Sequence, residues 1–153
     1  MQKKYEQLKA DVFDEIEEIE RVLKDLSSLK GNFDSDKIDN VQKAATGTFL
    51  MNFYVGVENI IKRISKEYYQ TMPKGNSWHK ELLDLSCTPP LGKNPIFNKN
   101  IVDRLNPYRG FRHLFVSGYG FTLRLELMSS LINNIEPLWT DIKKAIDEFW
   151  NKL

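Results

Sequence analysis

The sequence predicts an all-α fold, an antiparallel bundle of four to five helices. Apolar residues return every three or four positions through most of the chain, and no strand-like alternation extends beyond a few residues. Punctuation points the same way, since Gly, Pro, Asn and Ser gather in short stretches that part the long periodic ones. With 153 residues, no internal repeat and no low-complexity run, the chain is expected to form one domain over residues 1–153, large enough to bury a substantial core.

From about Lys4 to Lys30, Leu8, Phe13, Ile16, Ile19, Leu23, Leu26 and Leu29 recur among Asp, Glu and Lys, which predicts an amphipathic helix stopped by Gly31. The acidic run Asp14, Glu15, Glu17, Glu18 and Glu20 reads as a solvated helix surface, partly paired with Lys9, Arg21 and Lys24. Residues 32–36 carry turn chemistry, with Asp34 or Ser35 suited to accept from the free amides of a helix start. A second long helix is expected to about Tyr69. Its apolar positions, among them Leu50, Phe53, Tyr54, Val57, Ile60, Ile61 and Ile64, spread too widely for one stripe, so this helix is central and covered on two sides. Gly47 and Gly56 within it are expected where helices approach closely.

Residues 72–76 (Met-Pro-Lys-Gly-Asn) end that helix, and Ser77 is placed to cap a short one through Trp78, His79, Leu82, Leu83 and Leu85. Trp78 reads as a packing anchor ahead of a base-stacking platform, and His79 as a surface or capping histidine ahead of an active-site group. Ser86 to Asn98 holds three prolines and a glycine and is expected to be loop. Lys99 to Leu105 forms a short helix or the approach to one, and Pro107 fits the first turn of a further helix. After Phe121 a final helix runs to the C-terminus with Leu125, Met128, Leu131, Ile132, Ile135, Leu138, Trp139, Ile142, Ile146, Phe149 and Trp150 on its buried side, kinked at Pro137.

Composition narrows the function classes. A formal net charge of +1, from 22 basic and 21 acidic residues, argues against binding nucleic acid by bulk charge and leaves room for a local basic patch. The single Cys87 can form no intramolecular disulfide, which fits a reducing, cytoplasmic setting. No stretch approaches the roughly 18 apolar residues of a membrane helix, so no membrane partner is expected. A phosphate-cradling Gly-rich loop, a Glu-x-x-His pair and a zinc ligand set are all missing from the sequence, and no metal or cofactor is expected.

Chemistry concentrates in Tyr108-Arg109-Gly110-Phe111-Arg112-His113-Leu114-Phe115-Val116-Ser117-Gly118-Tyr119-Gly120-Phe121. At about 100° per residue, Phe111, Leu114 and Phe115 form an apolar stripe while Arg109, Arg112 and His113 cluster on another side of the helix. One face belongs to a core and the other to something anionic. Gly118 and Gly120 place Tyr119 at a sharply turned corner.

The run Phe-Arg-His-Leu-Phe-x-x-x-Tyr-Gly-Phe resembles the signature of the HepT-like branch of the HEPN superfamily, and Trp78-His79 is similar to a pair found before that signature in relatives. The resemblance implies a HEPN-like helical bundle and a toxin of a toxin–antitoxin module that cleaves RNA without metal. Such proteins use an Arg, a His after four to six intervening residues, and a Tyr two positions beyond the His. In this chain Arg112 takes the arginine position, Ser117 falls where the histidine belongs, and Tyr119 takes the tyrosine position. The resemblance also implies a homodimer, and a nucleotidyltransferase antitoxin of the MNT type that attaches AMP to Tyr119.

RNA cleavage needs a base for the ribose 2′-hydroxyl and a cation for charge building on the phosphate. Arg112, with Arg109, suits the second task, since a guanidinium offers planar paired donors to phosphate oxygens. Ser117 is neutral and does not suit the first, and His113, four residues beyond Arg109, is the nearby substitute. These residues support two expectations. One is a HepT-like toxin whose degenerate motif Arg112-x4-Ser117-x-Tyr119 leaves its ribonuclease activity open. The other is a non-catalytic HEPN module that docks a nucleotidyltransferase or nucleic acid.

Overall fold

The computed structural model describes residues 3–34, 37–117 and 125–153, with the side chain of Asp34 left out. Among the described residues five α-helices succeed one another: α1 (Glu6–Asp34), α2 (Asn40–Ile64), α3 (Trp78–Leu85), α4 (Lys99–Ser117) and α5 (Leu125–Asn151). A short 3-10 turn (Lys3–Tyr5) precedes α1 and a π-helical turn (Ser65–Tyr69) extends α2. No strand occurs among the described residues, and the all-α bundle expected from the sequence is what forms.

α2 is the central helix, packed against α1, α3, α4 and α5. Its width of apolar character has that cause: Leu50, Phe53, Tyr54, Val57, Ile60, Ile61 and Ile64 are all fully buried although they point in different directions. Phe53 makes edge-on contacts with Tyr108 of α4 at 5.3 Å and with Trp139 of α5 at 6.1 Å, so one ring fastens three helices. Two glycines let α2 approach its neighbours. A Cβ at Gly56 would stand 2.5 Å from Ile19 Cγ1 of α1, and one at Gly47 would stand 2.5 Å from Phe115 Cε1 of α4. Tyr108 Oη donates to the Leu131 carbonyl at 2.6 Å, and Trp139 Nε1 donates to Glu20 at 3.2 Å, which locks α5 to α4 and α1.

Several boundaries differ from the sequence reading. α1 passes through Gly31 and ends at Asp34, because Phe33 is buried and draws another turn onto the core, while Gly31 faces open space. The buried stripe of α1 runs Leu8, Val12, Ile19, Leu23, Leu26, with Val12 fully buried and Phe13 more than half exposed. Size favours Phe13 as the core residue, but spacing from Leu8 favours Val12 by one position, and spacing wins. The cap of α2 is Asp39, whose carboxylate accepts from the Gln42 amide at 2.7 Å while Gln42 Oε1 accepts from the Asp39 amide. Asp34 instead closes α1, and Ser35 lies outside the described residues.

Ser77 holds the N-cap position of α3 without a side-chain cap bond. α4 is one helix from Lys99, capped by Asn98 Oδ1 accepting from the Ile101 amide at 2.9 Å, and Pro107 lies inside it. The proline ring removes one N–H, but Pro107 and Asp103 are both exposed, so water can serve the freed carbonyl. Buried Ile101, Val102, Leu105, Tyr108 and Phe111 carry the helix across. α5 likewise continues across exposed Pro137, and its buried residues are the ones its periodicity named except Leu125, which is only partly buried at the start of the helix.

Candidate functional site

Arg109, Arg112 and His113 stand at i, i+3 and i+4 of α4, hence on one side of the helix, with the buried Phe111 on the other. They line a cavity of about 240 Å³ whose other wall is Asn76, Ser77, His79 and Lys80, from the start of α3 and the residues before it. Arg109 Nε donates to Asn106 Oδ1 at 3.2 Å, which fixes the guanidinium against its own helix. Arg112 is half-buried, and its Nε is enclosed with no hydrogen-bond partner among the described residues. A cation held this way keeps donor capacity for an anion entering the cavity.

His79, expected foremost at the surface or as a cap, is partly buried. Its Nδ1 stands 2.7 Å from Oε2 of Glu58, a carboxylate of α2 with only 3% of its side chain exposed. A carboxylate only accepts, so Nδ1 is the donor in this contact, and in the neutral imidazole Nε2 is the acceptor nitrogen. The ring lies on Trp78 with centroids 3.5 Å apart, Lys62 Nζ stands 4.6 Å from the Trp78 ring centroid, and the same Nζ is 4.0 Å from Glu58 Oε1. His79 is thus held by a charge, an indole and the packing of α3, not loose at the surface. The signal was present in the sequence at Glu58. It lies four residues beyond Tyr54 and three before Ile61, on the buried side of the central helix, and a carboxylate there must find a partner.

Beneath this wall lies Tyr54, fully buried, with a hydroxyl that has no hydrogen-bond partner among the described residues. Burial, and secondarily the charge of Glu58, push its pKa well above the ordinary tyrosine value, and the Arg109 and Arg112 charges pull the other way.

Ser117 does not join the group. It is exposed, and its hydroxyl donates back to the His113 carbonyl at 2.6 Å. Leu114, expected in the apolar stripe, is 41% exposed, whereas Phe111 is buried and Phe115 packs partly against the core. The turn of the helix that carries Arg109 and His113 outward carries Leu114 with it. Tyr119, Gly118 and Gly120 lie outside the described residues.

A larger cleft of about 370 Å³ between α1 and α2 is lined by Asp11, Glu15, Lys62, Arg63 and Glu67 among others. It sets Lys62, Arg63 and Lys66 against Asp11, Glu15 and Glu67, with Arg63 pairing with Glu15 at 3.2 Å and Asp11 at 3.7 Å, so its formal charge is balanced, unlike the arginine-lined cavity. Among the described residues no three His, Cys, Asp or Glu side chains gather as a metal-ligand set, and no helix is long and apolar enough to cross a membrane.

No curated protein and no solved structure matches the chain. A family model described as HepT-like protein matches residues 45–153, which takes in everything from the first turns of α2 through α5 and so includes both walls of the cavity. On that match, which covers well over half of its length, the chain belongs to the HepT-like family.

Proposed function

We propose that this protein is the toxin of a toxin–antitoxin module and a metal-independent endoribonuclease, acting in the cytoplasm as a homodimer with its RNA site at the α3–α4 cavity. The observation that supports this reading is the convergence of Arg109 and Arg112 on one small cavity with His113 and His79. Two guanidiniums in a half-enclosed site bind a phosphodiester and stabilise the charge that gathers on it during cleavage. In this reading Arg112 is the principal phosphate ligand and Arg109 its second. His113 contacts the same phosphate from the next position. Ser117 stands at the position of the family histidine and contributes no base. Tyr119 is the site of AMP attachment by an MNT-type nucleotidyltransferase, which would set added phosphate against the arginines and block the RNA site.

A second reading is favoured by one observation, the Ser117 hydroxyl turned back onto its own helix. Under it the chain binds RNA or a nucleotidyltransferase and cleaves nothing. The two are separated by incubating purified protein with mixed-sequence RNA in EDTA, beside Arg112→Ala and Ser117→His. The nuclease reading expects cleavage by the unaltered chain, and RNA affinity lowered roughly 10- to 100-fold by Arg112→Ala, the worth of about 1.5–3 kcal/mol for charged hydrogen bonds. Cleavage by Ser117→His alone would establish the second reading.

A further inference from the structure

The structure assigns the general base of this site to His79, held by Glu58, in place of a histidine on the motif helix; the assignment rests on the ribonuclease reading above. Three observations carry it. First, His79 stands across the cavity from Arg109 and Arg112, so a phosphate seated on the guanidiniums presents its adjoining ribose to the α3 wall. Second, the 2.7 Å contact between Nδ1 and Glu58 fixes the tautomer in which Nε2 bears the lone pair, the form a base requires. Third, a carboxylate with 3% exposure cannot be left unpaired without a large cost, so Glu58 holds the ring in place and stabilises the imidazolium that forms. The groups facing the imidazole are Glu58 and Lys62 from α2, Lys80 and Trp78 from α3, and Arg109, Arg112 and His113 from α4. His113 is exposed and has no such carboxylate contact among the described residues.

The step balances simply. Nε2 of His79 takes the proton of the 2′-hydroxyl, and the 2′-oxygen forms a bond to the adjacent phosphorus. The bond from phosphorus to the 5′-oxygen of the next nucleotide breaks, and that oxygen takes a proton from water. The products are a 2′,3′-cyclic phosphate and a 5′-hydroxyl end. Glu58 gives and takes no proton in this step and is a positioning residue.

The test is chemical rescue in the full chain. His79→Gly is expected to lower the cleavage rate at saturating RNA by roughly 10²–10⁴-fold, with RNA affinity changed by less than about threefold and activity partly restored by added imidazole. His113→Gly, treated alike, is expected to weaken RNA binding and gain nothing from imidazole. Glu58→Gln, which keeps volume, is expected to lower kcat with KM unchanged and no imidazole response. Cleavage by His79→Gly at the unaltered rate, or loss that imidazole does not relieve while RNA binding is retained, would overturn the assignment and leave the ribonuclease reading standing. Loss of RNA binding together with cleavage in His79→Gly would also overturn it, placing His79 in the fold or in phosphate binding. An unaltered chain that binds RNA and cuts none would overturn both.

Discussion

Two polar atoms close to the cavity lack hydrogen-bond partners among the described residues, and they call for opposite treatment. Arg112 Nε is enclosed too, but it belongs to a cation that lines the cavity and whose guanidinium charge an entering anion can answer. Tyr54 Oη is buried under Glu58 and the arginines, and its cost is borne by the fold. Tyr54→Phe removes only that oxygen, so folding stability is expected to stay the same or rise by about 1 kcal/mol. Urea unfolding decides it: a loss above about 1 kcal/mol would mean that the hydroxyl is satisfied after all. At this scale the sequence was legible where residue type and helical spacing agree. Helical spacing places Arg109, Arg112 and His113 on one face, and they line one cavity. It was illegible where a site is closed by a residue remote in sequence. Nothing in local pattern joins Glu58 to His79, 21 positions apart, because their contact exists only once α3 folds back on α2. The motif shows that Ser117 lacks basicity, but its withdrawal into a bond with its own helix could not be seen from spacing.

Helices are legible in kind and misleading in punctuation. Gly31 and Pro107 are both breakers by propensity, and both lie inside helices, because a buried Phe33 on one side and a run of buried residues on the other outweigh a penalty of about 1 to 3 kcal/mol. Gly31 and Gly56 make the contrast measurable. A Cβ at Gly31 meets nothing within 4 Å, so Gly31→Ala is expected to stabilise the protein by about 0.5–1 kcal/mol through helix propensity. A Cβ at Gly56 meets the buried side chain of Ile19 at 2.5 and 2.9 Å, so Gly56→Ala is expected to destabilise by roughly 1–3 kcal/mol even after the same propensity gain. A rise of the urea midpoint in both variants would contradict the close approach of α1 and α2.

Considered as one body, the bundle hides three ionisable tyrosines. Burial pushes Tyr54, Tyr69 and Tyr108 above the ordinary tyrosine value, with Tyr69 and Tyr108 donating to backbone carbonyls of Asn94 and Leu131. In the unfolded chain these hydroxyls ionise near pH 10, while the folded protein retains their protons. Above about pH 10 the unfolded state therefore binds fewer protons, and stability falls as pH rises; below it their contribution is complete and flat. The slope owed to Tyr54 alone approaches about 1.4 kcal/mol per pH unit, so urea unfolding between about pH 8 and pH 11 should show a steep loss that Tyr54→Phe reduces. A profile indifferent to that substitution would place the hydroxyl in contact with solvent.

The π-helical turn at Ser65–Tyr69 gives the chain an arithmetic constraint. The turn closes with Gln70 in a left-handed conformation at φ 57°, its amide donating to the Ser65 carbonyl. Removing any one residue there would restore an ordinary helical register while rotating the downstream chain by about 100° and drawing it in by about 1.5 Å. That downstream chain carries Asn76, Ser77, His79 and Lys80, which line the cavity. Exposed Lys66 and Glu67 can therefore vary freely in kind, but this stretch cannot vary in number without misaligning one wall of the cavity against the other.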